Sequence, residues 1–225
     1  NIFRLNRPAP LKELVDKYQM IDGKSIDESP LFDEENPYEN RDPRLLYSIT
    51  CIGYPYNGKP ITEADVVTTG FGQKKYTTYT DNETIPLVER SAFNFILIRY
   101  AEVLLTYAEA QNEANGPDES VYDAINQVRK RPGVDMPEIP NGLTKEQMRE
   151  AILVERRIEL ALEGLYYYDV LRWKTIETEN NGAMHNSNGV EIVIRKFNPA
   201  RDYLWPIPYN QTVQNPNLEQ NPNWD

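Results

Sequence analysis

Leu97-Ile98-Arg99-Tyr100-Ala101-Glu102-Val103-Leu104-Leu105-Thr106-Tyr107-Ala108 decides how the rest of the chain is read. Leu97, Ala101, Leu104, Leu105 and Ala108 recur at the spacing of one helix face, within a pattern that starts near Phe93 and runs until Asn115-Gly116-Pro117 stops it. Asp118 can cap a second helix, in which Val121, Ala124, Ile125 and Val128 repeat the i, i+3, i+4, i+7 spacing. Two helices joined by so few residues predict an antiparallel hairpin. A third helix starts at Thr144, whose hydroxyl and Gln147 make a capping-box pattern, and runs through Met148, Ala151, Ile152, Ile158 and Leu162 to Gly164. A fourth amphipathic piece carries Leu165, Tyr168, Asp169, Leu171, Arg172 and Trp173.

Outward from this centre the patterns weaken. Residues 1–92 predict a loop-rich region: a short helix follows Pro10 with Leu11, Leu14, Val15 and Tyr18 on one face, and turns recur at Asp22-Gly23, Asn36-Pro37, Asp42-Pro43 and Asn57-Gly58. Short β-like pieces are expected at Leu45 to Ile52 and Tyr76 to Thr80. Beyond residue 174, Val190 to Ile194 is a β-type run between a polar loop holding His185 and a Pro-rich tail. The predicted fold class is mostly α over a single domain, 1–225, with tetratricopeptide-like helical hairpins in 93–174, long loops and a few short strands. No regular 34-residue repeat is visible.

Composition excludes several functions. The 225 residues hold 24 Lys plus Arg against 35 Asp plus Glu, a net charge of −11, and the cations are scattered, so no nucleic-acid surface is expected. The longest apolar runs, such as Phe95-Ile96-Leu97-Ile98, fall far short of the ~18 residues that cross a bilayer. The sequence opens at Asn1 without a basic and apolar leader, as expected if any targeting segment was removed or not included. Cys51 is the only cysteine and His185 the only histidine, which leaves no internal disulfide, cysteine zinc site or His-rich metal site. Gly70-Phe71-Gly72 lacks the third glycine and following helix of a phosphate loop, so no nucleotide cofactor is expected.

Glu155 and Glu159 are four residues apart on one helix face, a spacing that could bring two carboxylates together for general acid and base work. With Arg156, Arg157 and Arg172 close in sequence, the pair reads as a structural ion network, and Glu155 is expected to be at least half buried against an arginine. The aromatic residues are 15 Tyr against 6 Phe, a bias toward rings with a polar tip. Tyr100, Tyr107, Tyr122, Tyr167 and Tyr168 fall in helices and read as packing residues. Tyr54, Tyr56, Tyr76 and Tyr79 fall in loops and are the candidate ligand-binding set.

Taken together, Arg99-Tyr100-Ala101-Glu102-Val103-Leu104-Leu105, Ile125-Asn126-Gln127-Val128-Arg129, Glu155-Arg156-Arg157-Ile158-Glu159-Leu160, Tyr168-Asp169-Val170-Leu171-Arg172-Trp173 and Leu204-Trp205-Pro206-Ile207-Pro208 resemble, in order and spacing, the C-terminal half of the SusD/RagB family of outer-membrane nutrient-binding lipoproteins. Asn36-Pro37-Tyr38 and Arg41-Asp42-Pro43-Arg44-Leu45 extend the resemblance toward the start of the chain. It implies non-catalytic capture of glycans at the extracellular face of the outer membrane, with delivery to a TonB-dependent, SusC-like transporter. It also implies a signal peptide and a lipid-bearing cysteine in a preceding half; Cys51 is internal and is not that cysteine. A peptide or other nutrient ligand within the same family, and an intracellular helical-hairpin scaffold, are the alternatives.

Overall fold

A computed structural model describes residues 9–86, 94, 96–215 and 217–224. Helix α1 (Lys12–Val15) buries Val15 and leads into turns that reach α2 (Arg44–Ser48). Strand β1 (Ile49–Cys51) follows, then the two-residue strands β2 (Pro55–Tyr56) and β3 (Lys59–Pro60), and β4 (Phe71–Gln73). β1 pairs antiparallel with β4, Thr50 opposite Gly72, and β2 pairs with β3. The helical part comprises α3 (Tyr100–Asn115), α4 (Glu119–Arg129), α5 (Lys145–Glu159), α6 (Tyr166–Arg172) and α7 (Ile176–Glu179). β5 (Gly182–His185) and β6 (Glu191–Arg195) form a hairpin, and α8 (Tyr209–Gln214) lies near the end.

The expected helices form for the expected reasons. The Asp118 side chain accepts from the Val121 amide at the start of α4, and Thr144 and Gln147 close the capping box of α5. Leu105 and Ala108 of α3, Val121, Ala124, Ile125 and Val128 of α4, and Met148 and Ile152 of α5 make one buried cluster, so the stripes face one another. The far end of α5 enters a second cluster, where Ile158 and Ala161 meet Val15, Tyr18, Leu45, Ile49, Cys51 and Phe71. α5 therefore joins the helical hairpin to the loop-rich region, and each fully buried large side chain contributes roughly 1.5–3 kcal/mol there. Thr144→Ala removes the hydroxyl that holds the first turn of α5. It is expected to lose about 1 kcal/mol in a urea titration, with an unchanged slope.

Five local expectations are corrected. Residues 44–48 are helical, because Pro43, at φ −56°, pre-sets a helix start, and only Ile49–Cys51 extends the chain. Within 76–80 there is no strand; Tyr76 sits at φ +64° in a turn closed by Thr77 N–H donating to the Lys74 carbonyl at 3.1 Å. α3 starts at Tyr100, not at Leu97, which is exposed; Phe93, where the helical pattern was placed, and Phe95 lie outside the described residues. α5 ends at Glu159 because Leu162 and Gly164 adopt positive φ, 65° and 83°, so Gly164 closes a turn beyond the helix. His185 is also in a strand, where its backbone N–H and Nδ1 both meet Glu13 Oε1, at 2.9 and 2.7 Å.

Candidate functional site

Six charged side chains from distant parts of the chain converge beneath a cavity of about 320 Å³ whose wall includes Tyr47, Tyr76 and Ile96. Arg44, at the start of α2, donates to Asp42 Oδ2 at 2.6 Å, to Glu159 Oε2 at 2.9 Å and to Glu155. Arg129 at the end of α4 takes the other oxygen of Glu155 at 2.7 Å. Glu159 also receives Arg99 and Arg131, each at 2.5 Å, and Glu163 receives Arg99 at 2.7 Å and Lys75 at 2.6 Å. Glu155 is fully buried, as expected, yet its arginines come from α2 and α4 and not from the neighbouring turns of its own helix. The near arginines serve elsewhere: Arg156 and Arg172 hold Asp169 at 3.1 and 2.9 Å, Arg172 also reaches Glu109, and Arg157 reaches Glu179 at 2.8 Å.

Burial alone would raise the Glu159 carboxyl, but Arg131, Arg44 and Arg99 outweigh it and lower it to about 2. A carboxylate so held stays ionised at neutral pH and has no proton to give. Arg44 is pushed the same way: burial disfavours its charge, and Glu155 and Asp42 restore and reinforce it. Among the described residues no three His, Cys, Asp or Glu side chains are arranged to hold a metal ion. Cys51 is buried, and burial pushes its thiol up to about 12, which makes it a packing residue of the second cluster and a poor nucleophile.

The four candidate tyrosines separate. Tyr56 and Tyr79 are buried and pack edge to face at 5.5 Å, in a small cluster with Ile61 and Val66, so their faces are covered and neither offers a stacking surface. Tyr54 is half-buried and packs edge to face on Tyr38 at 5.9 Å. Tyr76 alone lines the cavity, and its left-handed backbone is a strained conformation for a ring-bearing residue, held by the surrounding turn. The sequence reading missed Tyr47, which is 57% exposed at the cavity mouth with its hydroxyl donating to the Gly133 carbonyl at 3.0 Å. It lies inside the run expected to be a strand. Tyr100, Tyr107 and Tyr168, expected to pack, are exposed because they sit off the buried stripes of α3 and α6; Tyr122 and Tyr167 do pack.

A wider polar groove of about 540 Å³ runs along α4. Half of its lining residues fix the loop beside it: the Tyr122 hydroxyl accepts from the Leu143 amide, Asn126 Oδ1 accepts from the Ile139 amide, and Lys130 pairs with Glu138. The cavity under Tyr47 and Tyr76 is therefore the better candidate site.

Residues 6–224 match the sequence model of the SusD family, SusD/RagB. The chain belongs to the SusD family. Solved SusD-like structures share the fold: a SusD-like protein from Bacteroides fragilis is 30% identical with a TM-score of 0.80, and it is matched over 96% of this chain and 47% of its own. A SusD-like carbohydrate-binding protein from the same species is 30% identical with a TM-score of 0.81, over 93% of this chain and 48% of its own. A SusD-like protein of Formosa agariphila is 36% identical over 136 residues, 58% of this chain and 26% of that protein. This SusD-family chain thus spans about half the length of the solved relatives. The mainly helical architecture with a few short strands is that of its SusD-like neighbours. Among the described residues no helix is long and apolar enough to cross a membrane.

Proposed function

We propose that this SusD-family chain captures glycans at the outer-membrane surface without cleaving them, and passes them to a TonB-dependent, SusC-like transporter. The observation that carries the reading is the cavity in which Tyr76 and Tyr47 stand over a fixed floor of Arg99 and Arg131. A tyrosine face stacks on the apolar side of a sugar ring, and cations held by buried carboxylates donate hydrogen bonds to ring hydroxyls without first having to be ordered. A cavity of this size suits one or two sugar units, with the rest of a polysaccharide in solvent. Lack of hydrolysis is supported by the state of the carboxylates. Glycoside cleavage needs one carboxyl kept protonated near neutral pH, whereas Glu159 is pulled the opposite way and Glu155 has both oxygens engaged by arginines.

The test is affinity electrophoresis against a panel of soluble polysaccharides. Retardation by one glycan, with affinity reduced about tenfold by Tyr76→Ala and left unchanged by Tyr79→Ala, is the expected result. Retardation by none of them, together with competition by peptides in a separate binding assay, would replace glycan by peptide as the ligand.

A further inference from the structure

Strand β6 reads Glu191-Ile192-Val193-Ile194-Arg195, and every one of its residues is exposed. It pairs with β5 alone, Met184 opposite Val193 and Ala183 opposite Ile194. Among the described residues, no backbone hydrogen bond reaches 191–195 from outside this hairpin. β5, by contrast, is covered: its Met184 is buried, and its His185 is held by Glu13. The hairpin therefore has one open edge, which carries three consecutive β-branched apolar residues and neither the lysine nor the proline that usually guards an edge strand.

We infer that β6 pairs with β6 of a second copy of this chain, antiparallel about a two-fold axis at Val193. The occupant follows from the order of the side chains. Antiparallel pairing centred on Val193 puts Val193 opposite its counterpart, Ile192 opposite Ile194, and Glu191 opposite Arg195 at both ends, so the strand is complementary to itself in shape and in charge. A slip of two residues, the smallest that keeps both the two-fold axis and the face of every side chain, would part both ion pairs. Two features keep the contact transient and closed: it is only five residues long, and the register shift between Met184 and His185 leaves Ile192 without a partner in β5, a bulge that limits regular pairing to one strand.

The test is sedimentation analysis of the protein over a concentration series up to about 1 mM, a range suited to an interface this small. The unaltered chain should associate to a dimer. Glu191→Arg and Arg195→Glu each place like charges opposite one another and should associate about tenfold more weakly. An equimolar mixture of the two variants should recover the original association, because the introduced arginine of one copy then meets the introduced glutamate of the other, and the two unaltered residues pair at the opposite end. A Val193→Cys protein should form an intermolecular disulfide on mild oxidation, while Ile194→Cys, which would not face itself, should not. Cys51 is buried and should stay silent. A monomer at every concentration, or association that neither charge variant changes, overturns the inference, as does a mixture that fails to recover. Should the charge variants misfold by circular dichroism, the cysteine pair decides: equal cross-linking at 193 and 194 overturns it.

Discussion

Glu155→Ala is expected to lose about 3–5 kcal/mol of folding stability, the largest effect of any single change at the ion network. Glu155 is fully buried, and it receives Arg44 on one oxygen and Arg129 on the other at 2.7 Å. Truncation leaves two guanidinium groups facing each other out of water, with Asp42 and Glu159 to neutralise Arg44 but, among the described residues, no other carboxylate on Arg129. Since domains are stable by only ~5–15 kcal/mol, the variant should show a much lower urea midpoint or fail to fold at 37 °C. Arg149 and Glu113 pair at 2.5 Å but are more than a third exposed, so Glu113→Ala should cost less than about 1 kcal/mol. Equal losses in the two variants would mean that burial does not set the strength of these pairs.

Acid should unfold the protein through the same network. The Glu159 carboxyl lies at about 2 in the fold against an ordinary 4.5, so the unfolded chain takes up this proton more readily than the folded one. Its contribution is therefore fully present above about pH 4.5 and disappears as the pH falls toward 2, a change of roughly 3 kcal/mol. Glu109, lowered by Arg172 and Trp173 against its burial, and Glu179, lowered by Arg157 against its burial, act in the same direction. Thermal midpoints recorded from pH 7 to pH 2.5 should hold nearly level to about pH 5 and then drop steeply. In Glu159→Gln the starting midpoint should be lower and the drop shallower. An acid limb as steep in the variant as in the parent would assign the effect to other carboxylates.

The helical half was legible because each helix carries two agreeing signals, a stripe and a boundary. Asp118 and Thr144 mark starts, and the apolar spacing that follows marks the buried face. Residues 44–48 carry conflicting ones: Leu-Leu-Tyr-Ser-Ile suits a strand, and the helix follows from Pro43 and from the need to aim Arg44 at α5. Burial of Glu155 could be read from its place on the stripe. Its partners could not, because they lie 111 and 26 residues away, and charge pairing over such distances leaves no periodic trace. Loop tyrosines are the same problem in reverse: Tyr56 and Tyr76 look alike in sequence, and only the packing of Tyr56 on Tyr79 separates a covered ring from one that lines the cavity.

The network also fixes an order of events during synthesis. Arg44 and Lys75 leave the ribosome first, and Glu155, Glu159 and Glu163 emerge some eighty or more residues after them. Until then Arg44 has Asp42 alone, and the nascent segment from α1 to β4 lacks the apolar face of α5 that closes its cluster. It has to wait as an open chain, while α3 and α4, whose contacts are local, can already close on each other. Within this chain, the stretch from α1 to β4 thus waits longest for its partners during translation, and it becomes protected only when the end of α5 arrives.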